Sequence, residues 1–378
     1  MNNFVRSKGK RLLRAKKVAN FRLWLLLLLL APLGLCCAAQ NIEETELFIP
    51  GHDGINTYRI PSIVSTRNGT VLVFCEGRRD RNEDGTPTHL VLKRSLDNRG
   101  SRKMTWQPLQ ILLTSKAGEA YMNPVPIVDE RDGTIFLLVN PYFQPYKDVP
   151  VHIWLMKSTD DGATWSSPTD ITTGTGLKEL GPGIGIQMRS GRLVAPVYDG
   201  VIFSDDHGKT WKSGGKISDV YSESQVVELV DGSLLLNVRQ GVGHRAVGIS
   251  TDGGQTWSKP RNDMALSDPT EYKGCQGSLI RYSRKGAGNS KNRLLFSNPS
   301  DPNHRLNMTV RISYDEGRTW PVAKMIKEGP GGYSSMTVLP DGSIGLVYES
   351  GSFRTISFVR FTLEWITGGT DRETRMGN

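Results

Sequence analysis

The chain has 378 residues and a formal net charge of +9, a length that can bury one large core or two ordinary ones. Eight basic residues and no acid fall within the first 39 positions, so the remainder is close to neutral. A nucleic acid or other polyanion therefore loses its support as a partner of the body.

In chain order, residues 1–39 read as an export signal. A basic segment precedes the apolar run Leu23 to Leu35, and Ala38-Ala39 offers a cleavage site before Gln40. The run is 13 residues long, short of the roughly 20 that span a bilayer. The expectation is export to a periplasm or to the medium, with membrane contact only through an uncleaved leader. Cys36-Cys37 suggests a lipoprotein, but the bulky Leu35 argues against it. Cys75 and Cys275 then remain, 200 positions apart, and read as buried free thiols rather than a disulfide framework.

From residue 45 onward, short alternating or apolar runs are broken by Gly, Asn, Asp and Ser, an all-β pattern. Six turn signals each separate two such runs: Asn68-Gly69, Asp132-Gly133, Ser190-Gly191, Asp231-Gly232, Lys291-Asn292 and Asp341-Gly342. Asp-Gly and Asn-Gly accept φ > 0 and suit tight hairpins. A second repeat interleaves with the first. The phrase Ser-x-Asp-x-Gly-x-Thr-Trp begins at Ser158, Ser204, Ser250 and Ser313, and a damaged copy runs from Ser95 to Trp106. The starts at 158, 204 and 250 are 46 residues apart, a blade-sized period. These two repeats predict a six-bladed β-propeller of four-stranded antiparallel blades over 40–366. A strand at Glu46 to Ile49 closes the ring against Thr355 to Phe361, and 367–378 is expected to be a mobile tail. Asp and Trp of the repeated phrase are expected to build turns and packing, not chemistry.

Hairpin geometry places the Asp-Gly turns and the repeated phrases on one face. Chemistry is expected at the other ends of the same strands, where the repeats diverge. Those places hold Tyr58-Arg59-Ile60-Pro61, Glu76-Gly77-Arg78, Ser222-Glu223, Arg239-Gln240, Gly332-Tyr333 and Glu349-Ser350. Charges at the mouth of an apolar scaffold are costly unless paired or used. Converging arginines suit an anionic ligand, because the guanidinium fork matches a carboxylate. The six histidines have no ligand spacing, and neither a phosphate loop nor a Gly-x-Ser-x-Gly elbow is present. No metal or cofactor is implied.

Tyr58-Arg59-Ile60-Pro61, the Asp-box phrases, Ser222-Glu223-Ser224-Gln225 and Phe296-Ser297-Asn298-Pro299 with Arg305 resemble the bacterial and animal exo-α-sialidases over about 45–365. The resemblance implies sialylated glycans as substrates. It implies that Arg59, Arg239 and Arg305 clamp the sialic acid carboxylate, and that Arg78 lies in the pocket. Tyr333 would be the nucleophile, Glu223 the base that activates it, and Glu349 the acid that holds Arg59. The general acid/base would be Asp84, with Asp80 and Glu83 as rivals. Met122, Asn123, Tyr121 and Gln276 are candidates for lining the N-acetyl or glycerol pockets.

The residue types fit the chemistry. The anomeric carbon of sialic acid bears a carboxylate, and an anionic nucleophile would meet repulsion on the order of several kcal/mol. A neutral Tyr, deprotonated as it attacks, avoids this, and sialidases depart from the two-carboxylate rule in this way. Asp84 would protonate the leaving oxygen and later take a proton from water, with retention of configuration. Transglycosylation, intramolecular release and a catalytically dead sialic-acid-binding propeller are the alternatives; binding alone needs only the arginines.

Overall fold

The computed structural model describes residues 42, 44–96, 104–143, 151–218, 222–286 and 288–372. The expected export signal at 1–39 lies outside them, as do 97–103 within the damaged repeat.

All six turn signals fall between paired antiparallel strands. The hairpins are Thr57–Ser65 with Val71–Arg78, Glu119–Val128 with Ile135–Phe143, and Ile186–Gln187 with Leu193–Val197. They continue as Ser224–Glu228 with Leu234–Val238, Ser278–Ser283 with Arg293–Pro299, and Ser334–Val338 with Ile344–Ser350. Gly69, Gly133, Gly191, Gly232 and Gly342 all take positive φ, from 80° to 92°, as the turn chemistry requires. Both strands of a hairpin such as Leu234–Val238 are continuously buried, because they are covered on both faces.

The first strands of the six hairpins touch in cyclic succession, and Ser334–Val338 returns to Thr57–Ser65. The result is an all-β propeller. Four sheets have four strands each, while the first two hairpins, expected in separate blades, share one eight-stranded sheet. Among the described residues, the backbone pairing that joins them is a single parallel one, Thr88 with Ala120. Glu44–Phe48 pairs with Thr355–Phe361, so the N-terminal strand closes the last sheet as expected.

The Asp-box phrases are structural. In the copy at 250, Ser250 Oγ accepts the Gly254 N–H at 2.8 Å and Asp252 accepts the Thr256 N–H at 2.9 Å and its hydroxyl at 2.6 Å. Trp165 packs edge-on to Phe74 and Trp211 to Phe136, each on the hairpin before its own. Four of these turns reach the turn of the preceding hairpin. Asn68 donates to Asp161 at 2.8 Å, the His207 ring lies 2.8 Å from Asp129, Arg192 donates to the Gly253 carbonyl at 2.8 Å, and Val230 N–H donates to Glu316 at 2.9 Å. The boxes and the hairpin turns therefore share one face.

Cys75 and Cys275 are free and buried. The C-terminal stretch departs from the expectation of a loose tail. Leu363–Thr367 forms a short helix, capped by Thr362. Beyond it, buried Asp371 pairs with buried Arg293 through contacts of 2.8 and 2.7 Å, so the anchored chain runs past 366. Residues 373–378 lie outside the described chain.

Candidate active site

The face opposite the turns carries a pocket built from strand starts and strand ends. Two first strands bulge there, between Arg59 and Ser62 and between Met122 and Val125. Ile60 and Asn123, each just before a proline, sit at φ 55° and 56°. A β-branched residue in that region is strained, and bulges re-aim neighbouring side chains. The Ile60 N–H donates to Glu349 Oε1 at 2.9 Å.

Glu349 is fully buried and organises this corner. It accepts Arg59 Nε at 2.6 Å and Nη2 at 3.3 Å, and it also accepts the Tyr333 N–H at 3.1 Å. Burial works to lower the Arg59 guanidinium, but the Glu349 carboxylate outweighs it and leaves the pKa raised. Gly332 is required beside it, since a Cβ there would meet Glu349 Oε2 at 2.2 Å.

Tyr333 donates its hydroxyl to Glu223 Oε1 across 110 positions of sequence. Arg239 Nη1 bridges the pair, 2.8 Å from Tyr333 Oη and 2.5 Å from Glu223 Oε2. Burial pushes the Tyr333 phenol well above its ordinary value, the Glu223 charge adds to this, and Arg239 and Arg305 oppose it. A neutral phenol that donates to Glu223 is an arrangement able to serve as nucleophile and base. The Arg305 and Arg59 guanidinium carbons stand 5.3 and 5.9 Å from the Tyr333 ring centre. Arg305 Nη2 donates to the Gly274 carbonyl at 2.7 Å, and its buried Nε has no hydrogen-bond partner among the described residues. Three cations thus surround one tyrosine.

On the other wall, Arg78 donates to buried Glu76 at 2.8 and 3.1 Å and lies 2.6 Å from Asp84 Oδ1. Burial pushes the Glu76 carboxyl above the usual range against the pull of Arg78. Asp84 is 64% exposed, on the rim.

Arg59, Arg78, Asp84, Glu223, Arg239, Arg305 and Tyr333 all line this one pocket, with Glu349 immediately behind. Met122 and Asn123 line it too, whereas Tyr121 and Gln276 do not. Tyr121 packs against Trp154, and Gln276 bonds the Pro182 carbonyl and the Ser334 N–H. Of the three acids on the loop after Arg78, Asp84 is in the lining and Asp80 and Glu83 are not.

Several lining residues escaped the sequence reading, among them Asn82, Glu179, Tyr198, Tyr272 and Phe353. Tyr198 directly follows Leu193–Val197, the second strand of its hairpin, so reading the residues that leave that strand from the first one onward finds it. Glu179 accepts the Tyr142 hydroxyl at 2.6 Å, and burial pushes its carboxyl up against that bond. Tyr272 and Phe353 come from connecting loops that share no repeat.

Residues 69–346 match the family model described as a BNR repeat-like domain. A sialidase of Micromonospora viridifaciens is 35% identical over 361 residues, covering 86% of this chain and 54% of that protein. The chain thus spans about half the length of that relative. An exo-alpha-sialidase of Aspergillus fumigatus is 35% identical, covering 84% of this chain and 86% of that protein. Among solved structures, a Hadza microbial sialidase superposes with a TM-score of 0.77 at 31% identity, covering 85% of this chain and 69% of that one.

Proposed function

The chain belongs to the exo-α-sialidase family, and from that premise we propose that it is a retaining exo-α-sialidase that releases terminal sialic acid from glycoconjugates. The observation that carries this reading is the Tyr333 hydroxyl donating to Glu223 with Arg239 on both. Arg59, Arg239 and Arg305 bind the substrate carboxylate as a three-sided clamp. Tyr333 Oη attacks the anomeric carbon while Glu223 takes its proton, and Asp84 protonates the departing glycosidic oxygen. Asp84, now a carboxylate, accepts a proton from water as that water attacks the same carbon. The tyrosyl bond breaks, and Glu223 returns its proton to Tyr333. Each attack inverts the centre, so the product keeps the substrate's configuration.

We also read the eight-stranded sheet as two blades joined at one pairing, giving six blades. The cyclic contacts of the six first strands support this. Export through the leader is likewise proposed from sequence.

A fluorogenic sialoside assay tests the activity. Release by wild type is expected, with kcat for Tyr333→Phe lower by at least on the order of a thousandfold. No release by wild type contradicts the enzyme reading, and an unimpaired Tyr333→Phe contradicts the nucleophile. Transfer to a second sugar is the other reading, favoured by Tyr272, a 63% exposed ring at the pocket. Chromatography of products formed with and without excess lactose separates the two.

A further inference from the structure

Two of the three clamp arginines are held from behind by the same short loop. Arg239 Nη2 donates to the Tyr272 carbonyl at 2.5 Å and Nε to the Lys273 carbonyl at 2.9 Å, while Arg305 Nη2 donates to the Gly274 carbonyl at 2.7 Å. Three successive carbonyls thus fix two guanidinium planes. The loop that presents them is strained: Tyr272 and Lys273 sit at φ 51° and 54°, and Gly274 at 98°. Such a conformation persists only where its surroundings over-determine it.

One group that does so is Asp268, fully buried at the end of the strand Arg261–Asp268. Its Oδ1 accepts the Cys275 N–H at 2.9 Å, just past the three carbonyls. Its Oδ2 accepts the N–H groups of Gln240 at 2.6 Å and Gly241 at 2.8 Å, just past Arg239. One carboxylate therefore ties the loop to the backbone that carries the arginine the loop holds. Arg245, also buried, lies 3.5 Å from Asp268 Oδ1 and donates to the Cys275 carbonyl at 2.6 Å, which balances the charge. There is no slack at this junction. A Cβ on Gly274 would meet Asp268 Oδ1 at 2.7 Å, and one on Gly241 would meet the Lys273 carbonyl carbon at 2.3 Å.

We propose that Asp268 is a positioning residue that holds Arg239 and Arg305 in their carboxylate-binding orientation without touching substrate. This rests on the sialidase reading of the pocket. A clamp that binds the carboxylate equally in the ground state and the transition state governs KM rather than kcat. Outer partners of liganding groups typically carry on the order of tenfold in affinity.

The test compares the 2,3-dehydro analogue of N-acetylneuraminic acid with its methyl ester, by calorimetry, on wild type and Asp268→Asn, together with kcat and KM. Wild type is expected to prefer the acid. Asp268→Asn is expected to bind the acid about tenfold more weakly and the ester unchanged, with KM raised. A wild type without acid preference overturns the clamp itself. A wild type with it, and an Asp268→Asn that keeps the full preference, overturns the role of Asp268 alone. Should Asp268→Asn not fold, Asp268→Asn with Arg245→Met removes both buried charges and must show the same loss. On wild type alone, hydrogen exchange at Gln240, Gly241 and Cys275 is expected to slow with the acid and not with the ester. Equal slowing, or none, overturns the assignment.

Discussion

Asp84 differs from the other proposed catalytic groups in being exposed, and it is tethered by Arg78 at 2.6 Å. Glu83 on the same loop pairs outward with Arg81 at 3.4 Å. If Asp84 is the acid, its loss should depend on the leaving group, because a poor leaving group needs the proton and an activated aryl group does not. Asp84→Asn is expected to lose about 10² to 10⁴ in kcat/KM on sialyllactose and clearly less on an aryl sialoside. Asp80→Asn and Glu83→Gln should stay near wild type on both. A comparable loss in either rival, or equal losses of Asp84→Asn on both substrates, would move the role elsewhere. At this scale the sequence was informative where a residue sits inside a local phrase. Arg59 follows a tyrosine and precedes Ile-Pro, and Arg78 follows Glu-Gly. Asn82 and Tyr272 sit in loops of their own, so only the folded chain brings them to the pocket.

At the scale of elements, the hairpins and Asp boxes were legible because their turns require particular residues. Gly69 and Gly232 take φ near 90°, and Asp252 satisfies the donors of its own turn. The bulges at Ile60 and Asn123 were not legible, since their cost is met by Glu349 and Glu76 from remote strands. The C-terminal anchor was also missed, because 367–372 has no apolar period and is fixed by polar contacts to remote residues, chiefly the buried Asp371–Arg293 ion pair. That pair holds the Asp371 carboxyl down to about 2 from its ordinary 3.8, through hydrogen bonds from Arg293 and Tyr314 and nearby charges that outweigh burial. A depressed carboxylate contributes stability that is present above its unfolded value and is lost as pH falls through the folded one. Asp371→Asn, which leaves Arg293 buried without its partner charge, is expected to cost about 3 kcal/mol at neutral pH. The difference from wild type should shrink between pH 4 and pH 2. Urea denaturation across that range checks both, and a pH-independent difference would contradict the ion-pair account.

For the whole molecule, ring closure is what brings distant residues together. Arg59 and Glu349 are 290 positions apart and meet because the last hairpin lies against the first. Glu44–Phe48 seals the last sheet with Leu47 and Phe48 buried, and Glu44 accepts the Tyr348 hydroxyl at 2.6 Å. A chain truncated to begin at Pro50 is expected to lose about 3 to 6 kcal/mol from those two side chains and to expose a strand edge that self-associates. Thermal denaturation and light scattering would show it, and a stable monomer would argue against closure. The face so assembled is proposed to work through a covalent bond to Tyr333. A 2,3-difluorosialic acid, whose fluorines slow release of a glycosyl-enzyme, traps that bond, and peptide mass mapping locates it. Modification of Tyr333, absent in Tyr333→Phe, is the expected result; modification of a carboxylate instead, or none in an enzyme that still turns over sialosides, would contradict it.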